Sequence, residues 1–274
     1  MCSYREINPN SFGTESKNLN LMRHFYFLII ISTLFALIRP QNAQAFEVQQ
    51  IALIYSGPGS CAGCPEAVGK VLGQLGYKIK YIKPADMTSD NFKSAHLYVQ
   101  PGGSDFIEDT LNALSFNQIN ELKKFIYRGG HYLGICAGGY LAGNFATEER
   151  KKSHRKIRAF GLIDIDEVNE EIEDNFKPFL IDVRWQNQNR KIYFQAGPHF
   201  GEEFKGTNVK IYARYSRSNR IAALMTSYGS GKVGLIGPHP EASTNWYIED
   251  QLSTNYGLNT DLITHFIHDL NQSY

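Results

Sequence analysis

The residue best placed to act as a nucleophile is Cys136, in the run GICAGG at residues 134–139. The apolar, strand-like residues 132–135 lead into this run, and small residues on both sides of the cysteine allow a sharp turn from strand to helix. Such a turn lifts the side chain above the sheet, and a helix N-terminus favours the thiolate. We therefore predict a cysteine nucleophile whose substrate oxyanion is held by the backbone N–H groups of Ala137 and Gly103.

A histidine and a carboxylate that could serve this thiol occur in the run GPHPE at residues 237–241. Residues two apart in an extended segment point to the same side, so Glu241 can orient the His239 ring. Pro240 favours that extended backbone at His239. A lone buried cysteine is usually a small core residue, but the ordered combination predicts a Cys136–His239–Glu241 triad. The remaining residues expected around the pocket are Gly57, Gly102, Gly138 and Tyr140.

Cys61 and Cys64 form a CAGC run near the predicted mouth of the pocket. A disulfide, two free thiols that only pack, and a redox or metal role all share this spacing. A structural zinc ion needs about four ligands and no second pair of this kind exists, so we expect no metal. His199 fits either a substrate contact or an ordinary loop histidine.

The N-terminal region has the three-part layout of a signal peptide at residues 22–45, with Arg23 and His24 before an apolar core and Ala43-Gln44-Ala45 at its end. We expect cleavage after Ala45 and no stable membrane insertion, because the apolar run is shorter than the roughly 20 residues of a spanning helix. Residues 1–21 are then a non-native extension, with translation starting at Met22. The mature product would be periplasmic or secreted.

Strand-like runs alternate with amphipathic helical segments after the signal. The runs are 50–55, 78–82, 96–99 and 132–135, with helices predicted from residues 65 to 75 and 117 to 128. This alternation predicts a mostly parallel sheet covered on both faces, with sites beyond the carboxyl ends of its strands. Later strand-like runs, from 179–185 to 233–236, are spaced like an antiparallel extension, and a last helix is predicted at 260–270. We predict one domain over residues 46–274.

Charge gives little indication of a partner. The 28 lysines and arginines nearly balance the 27 aspartates and glutamates, which excludes a strong field for nucleic acid. The dense charge at residues 147–158 is interpreted as a solvated loop.

Several of these runs resemble known families. The GPHPE run resembles class I glutamine amidotransferases, in which cysteine, histidine and glutamate form a triad. A larger set of sequence runs resembles the amidotransferase-like N-terminal domain of eukaryotic biotin-protein ligases, a domain that also occurs free-standing. This similarity covers residues 50–243. The matching runs are LIYSGPG at 53–59, PGGSD at 101–105, FIYRGG at 125–130 and GICAGGY at 134–140. The resemblance implies a three-layer, flavodoxin-like α/β sandwich with additional antiparallel strands in the C-terminal half.

The sequence departs from both families in ways that bear on activity. Glutaminase elbows usually continue Cys-Leu-Gly-His or Cys-Leu-Gly-Gln, whereas residues 137–140 read AGGY. The Gly-Arg-Gly-Arg-type loop of the biotin-ligase catalytic module is absent, so biotin transfer is not implied. The leading hypothesis is a thiol-dependent amide hydrolase or acyl-transfer enzyme acting without a cofactor on a small-molecule or peptide amide. The alternatives are a non-catalytic binding domain that retains the pocket and a redox protein using Cys61 and Cys64.

Overall fold

The computed structural model describes residues 49–104, 106–148, 155–173, 175–204 and 208–272. The predicted extension at residues 1–21 and the signal peptide at residues 22–45 lie outside these described residues. All the described residues belong to one compact unit.

The N-terminal half alternates strands and helices as its apolar pattern predicts. Helix starts follow the local chemistry: Pro65 occupies the first turn of one helix, and Ser115 caps another through a reciprocal pair of bonds with Gln118. The elements in this half are β1 (Ile51–Tyr55), α1 (Cys64–Gln74), β2 (Lys78–Ile82), α2 (Ser89–Lys93), β3 (Leu97–Gln100), α3 (Glu108–Ala113), α4 (Phe116–Tyr127), β4 (His131–Ile135) and α5 (Ala137–Tyr140).

The C-terminal half is mostly β-structure, followed by two helices. Its elements are β5 (Phe145–Glu148), β6 (Arg155–Arg158), β7 (Asn169–Glu170), β8 (Phe179–Trp185), β9 (Gln188–Phe194), β10 (Pro198–His199), β11 (Lys210–Tyr215), β12 (Ile221–Tyr228), β13 (Gly231–Ile236), α6 (Thr244–Glu249) and α7 (Thr260–Asn271). Among the described residues, no helix has the length and apolar content needed to cross a membrane.

Nine strands form one mixed sheet in the order β2-β1-β3-β4-β13-β12-β11-β8-β9. The pairings from β2 to β13 are parallel, and those from β13 to β9 are antiparallel. The predicted parallel sheet with an antiparallel extension is therefore confirmed. The strand β13 is the junction, because it pairs parallel with β4 on one side and antiparallel with β12 on the other.

Helices cover both faces of the sheet, as the apolar strands require. In β1, Ala52 and Ile54 pack into a core with apolar residues of α1 and α7, whereas Leu53 and Tyr55 face a second core that contains α4. This alternation follows from the two-residue period of a strand. The result is the predicted three-layer sandwich.

The prediction of a solvated loop at residues 147–158 is partly wrong. Strands β5 and β6 pair antiparallel from Phe145↔Arg158 to Glu148↔Arg155, and both ends of the predicted loop belong to this hairpin. Ala146 is buried, and Ile157 packs against the core on the α4 side. The backbone pairing therefore places both described ends of the segment in strands, while Arg155, Lys156 and Arg158 are exposed as the composition indicates.

Candidate active site

Cys136 lies at a sharp turn between β4 and α5. Its φ of 49° and ψ of −106° are unusual for a residue with a side chain, so the fold holds the cysteine in a strained conformation. Glycines make the turn possible: a Cβ on Gly138 would lie 2.1 Å from the Gln100 carbonyl oxygen, and one on Gly134 would lie 2.5 Å from the Gly138 carbonyl oxygen. The thiol is buried and free of any disulfide.

The register of β13 against β4 brings His239 to this turn. Ile236 is the partner of Ile135, and Cys136 N donates to the Ile236 carbonyl at 2.9 Å. The chain leaving β13 therefore passes beside Cys136, and the side chains of Cys136 and His239 line one cavity, close enough for the charge of Cys136 to raise the pKa of His239. On its other side, His239 N donates to the Tyr193 carbonyl at 2.8 Å, which fixes the backbone that carries the imidazole.

Glu241 orients the imidazole as its spacing predicts. His239 Nδ1 lies 2.8 Å from Glu241 Oε1, and neither side chain is more than 5% exposed. Burial alone lowers the pKa of His239, but the charges of Glu241 and of the Cys136 thiolate outweigh burial and raise this pKa to about 10. The carboxylate therefore favours an imidazolium beside the sulfur at neutral pH.

The two residues predicted to hold an oxyanion are neighbours. A Cβ on Gly103 would lie 2.6 Å from the Ala137 Cβ. Gly103 pairs with Ser60 in an antiparallel bridge whose hydrogen bonds are made by the adjacent residues, at 2.9 and 3.1 Å. The Gly103 N–H therefore points away from that bridge. Both residues line the cavity that contains the thiol.

Cys136 lines a cavity of about 490 Å³. Of the predicted residues, Cys136, His239, Gly103, Ala137 and Tyr140 line it.

The other predicted glycines, Gly57, Gly102 and Gly138, are not among the lining residues and are closely surrounded by other atoms. A Cβ on Gly57 would meet Tyr55 and Pro84, each within 2.8 Å, and Gly138 lies against β3. Gly102 is enclosed between His239 and the two residues Cys61 and Cys64.

Cys61 and Cys64 are joined as a disulfide, with their Cα atoms 5.5 Å apart. The CAGC spacing fitted a disulfide, two free thiols or a redox or metal role, and the structure has the disulfide. Both cysteines line the cavity, and Cys64 begins α1. Within the described part of the chain, no group of three or more histidine, cysteine or acidic side chains is arranged to hold a metal ion.

The cavity wall is acidic. Apart from His239, none of the described lining residues carries a positively charged side chain. The carboxylates on the wall are Glu108, Glu167, Glu170, Glu249 and Asp250. Negative charge at the wall favours cationic over anionic molecules near the thiol.

Among the lining residues that were not predicted from the sequence, three lie beside Cys136 or His239. The Gln195 carbonyl oxygen lies 3.7 Å from Cys136 Sγ, and the rings of Tyr193 and Trp246 pack edge-on against His239 at centroid distances of 5.8 and 5.5 Å. They come from the end of β9 and from α6, and no local motif marks them. His199 is not a lining residue; its Nδ1 accepts from Gly201 N at 3.1 Å.

Two stretches, residues 50–159 and 171–272, match the family described as biotin-protein ligase, N terminal. The chain belongs to this family. Membership confirms the resemblance seen in the sequence. A biotin-protein ligase of Schizosaccharomyces pombe (strain 972 / ATCC 24843) is 28% identical over 212 residues, which are 70% of this chain and 33% of that protein. This member of the biotin-protein ligase N-terminal family therefore spans about a third of that relative's length.

Solved structures share the fold. The structure of PurLQS from Thermotoga maritima has a TM-score of 0.53 and 17% identity, covering 81% of this chain and 100% of that chain. A cytoplasmic protein of Salmonella typhimurium has a TM-score of 0.50 and 14% identity, covering 81% and 98%. At these identities the likeness shows the fold alone, which is the predicted glutamine amidotransferase-like architecture.

Proposed function

We propose that this member of the biotin-protein ligase N-terminal family is a thiol-dependent amide hydrolase or acyl-transfer enzyme. The observation that carries the proposal is the meeting of Cys136, His239 and Glu241 at one strained turn beside an open cavity of about 490 Å³. A buried imidazole placed between a thiol and a carboxylate is the arrangement that activates cysteine nucleophiles. Strain at Cys136 has a ready explanation if the turn must present the sulfur to a substrate.

In the proposed reaction, the Cys136 thiolate attacks the substrate carbonyl carbon, and a carbon–sulfur bond forms as the carbonyl electrons move to oxygen. The N–H groups of Gly103 and Ala137 donate to this oxyanion. The carbon–nitrogen bond then breaks, and the imidazolium of His239 donates a proton to the leaving amine. A water molecule or an acceptor amine attacks the thioester, His239 takes its proton, and the free thiolate is restored.

The substrate class follows from the cavity and the elbow. About 490 Å³ admits a small amide or a peptide side chain. Residues 137–140 differ from the usual glutaminase elbow, so glutamine is not our preferred substrate. The yeast relative is named for its action on proteins, and a peptide amide is consistent with that name. We also propose that the chain is exported, on the strength of the signal-like residues 22–45.

Acylation of Cys136 tests the proposal without knowledge of the substrate. The chain without residues 1–45 is mixed with p-nitrophenyl acetate, and a burst of nitrophenolate and an acetylated Cys136 peptide are expected. Cys136→Ala should abolish the burst, and His239→Gln should slow it by about 100-fold or more. His199→Gln is the matched control, because that histidine lies off the cavity, and it should acylate normally.

The alternative functions give different results in this experiment. A binding domain that retains only the pocket would acylate no faster than a free thiol. A redox protein would show cycling of Cys61 and Cys64 with a dithiol while Cys136→Ala has no effect.

A further inference from the structure

The Cys61–Cys64 disulfide is in contact with the same glycine as the candidate catalytic imidazole. A Cβ on Gly102 would lie 2.8 Å from Cys64 Sγ, 2.8 Å from His239 Cε1 and 3.4 Å from Cys61 Sγ. Gly102 is therefore held tightly between the disulfide and the imidazole. A movement of either sulfur would open space next to Gly102, the residue that lies against Cε1 of the His239 ring.

The loop that contains the disulfide also holds the segment that includes Gly103. Cys61 N donates to the Gly102 carbonyl at 3.1 Å, and Ser104 N donates back across the same bridge at 2.9 Å. The other cysteine, Cys64, begins α1, whose glycine N-cap supplies no side-chain hydrogen bond. The disulfide thus joins the strand-like bridge at Gly103 to the start of a helix that lacks a side-chain cap.

We propose that the Cys61–Cys64 disulfide is a positioning element of the active site and is required for Cys136 to accept an acyl group. This inference rests on the proposed function. In the oxidised form, the disulfide holds the Gly103 N–H beside Ala137 and supports His239 through Gly102. A dithiol would reduce it by exchange: two electrons and two protons pass to the protein, giving two thiols, while the dithiol becomes a disulfide. Activity would then be confined to conditions in which this disulfide persists.

The experiment compares acylation and alkylation before and after reduction. The chain without residues 1–45 is reduced with a phosphine, and the Cys61 and Cys64 thiols are verified by mass spectrometry. Acylation of Cys136 by p-nitrophenyl acetate forms an oxyanion, whereas alkylation by iodoacetamide does not. We expect reduction to slow acylation by about tenfold or more and to slow alkylation clearly less, because only acylation uses the Gly103 N–H. Reoxidation should restore the acylation rate.

The Cys61→Ser/Cys64→Ser variant is the matched control for the reductant. It should acylate at the rate of the reduced protein, and the phosphine should change it no further. Unchanged acylation in a folded, verified reduced protein would overturn the proposal, even if the melting temperature falls. If the oxidised protein does not acylate at all, the proposed function itself fails, so the two failures are distinguishable.

Gly102→Ala keeps the test decisive if loss of the disulfide unfolds the chain. The added methyl must displace the Cys64 sulfur or the imidazole, which each lie 2.8 Å from its position, while the disulfide stays intact. We expect acylation to fall by about tenfold in this variant. Acylation at the wild-type rate by a folded Gly102→Ala protein would contradict the positioning role.

Discussion

Replacing Glu241 with glutamine removes the negative charge beside His239 and preserves the shape of the side chain. Glu241 Oε1 lies 2.8 Å from His239 Nδ1, and its side chain is fully buried. At an effective dielectric constant of about 20, the attraction across this distance is ~6 kcal/mol. Desolvation and the hydrogen bond that glutamine retains reduce the difference to about 4 kcal/mol, within the range for breaking a buried pair. About 4 kcal/mol corresponds to about three pKa units.

The pKa of His239 should therefore fall from about 10 to about 7 in Glu241→Gln. The assay is a nitrogen-15 NMR titration of the imidazole, assigned by its loss in His239→Gln. The pH dependence of the free energy of unfolding gives a second test, because protonation of His239 is coupled to folding. Because the folded-state pKa exceeds the unfolded value of 6.5, the contribution of His239 to stability is full below pH 6.5 and lost as pH rises towards 10. Glu241→Gln should remove most of this decline.

A midpoint that stays near 10 in a folded Glu241→Gln protein would refute the electrostatic account of the triad. Glu249→Gln is the control, since Glu249 is an exposed carboxylate on the same cavity wall. Its replacement should move the midpoint by no more than about half a unit, because solvent screens an exposed charge.

Three further substitutions test the packing at the Cys136 turn, the buried histidine His131 and the acidic cavity wall. Gly138→Ala should lower the free energy of unfolding in urea by about 3 kcal/mol or more, because its Cβ would lie 2.1 Å from a carbonyl oxygen of β3. Gly73→Ala is the control and should be neutral or stabilising, because the space around that position is open. Burial, with the charge of a neighbouring lysine, lowers the pKa of His131 to about 4. Between pH 6.5 and 4 the unfolded chain therefore binds a proton at His131 that the folded chain does not bind. The free energy of unfolding should fall by about 2 kcal/mol as the pH drops through this window, a figure reduced because the ring is partly exposed to solvent. His131→Gln should remove this fall. Glu167→Gln should raise the rate at which iodoacetate labels the reactive thiol by about two- to fivefold without changing that of neutral iodoacetamide, whereas Asp90→Asn, off the cavity, should change neither.

The parallel part of the fold and the strand-end positions of Cys136 and His239 were within reach of sequence reasoning because each depends on local patterns. Apolar runs that end in glycine turns identify β1, β3 and β4, and glycines around Cys136 are required by contacts of 2.1 to 2.5 Å at the turn. The order of Cys136 and His239 along the chain then places both at strand ends. Their meeting depends on β13 lying beside β4, which the strand pattern alone does not specify.

The rest of the site could not be predicted because it depends on tertiary contacts. Tyr193 reaches His239 through an antiparallel bridge at the far end of the sheet order, and Trp246 does so from a short helix that follows the triad. The pairing of β5 and β6 overrides a composition typical of a solvated loop. In each case the deciding partner is distant in sequence, and no alternation of apolar residues marks it.

Whether the fold activates Cys136 can be measured from the rate at which its thiol reacts with a neutral alkylating reagent. The thiol is only 9% exposed, so burial without activation would make iodoacetamide react more slowly with the folded protein than with the unfolded chain. We predict the reverse at pH 7: labelling about tenfold faster in the folded state than in urea, and loss of this excess in His239→Gln. A folded-state rate at or below the unfolded rate, or one that His239→Gln leaves unchanged, would show that the fold does not activate Cys136 through His239.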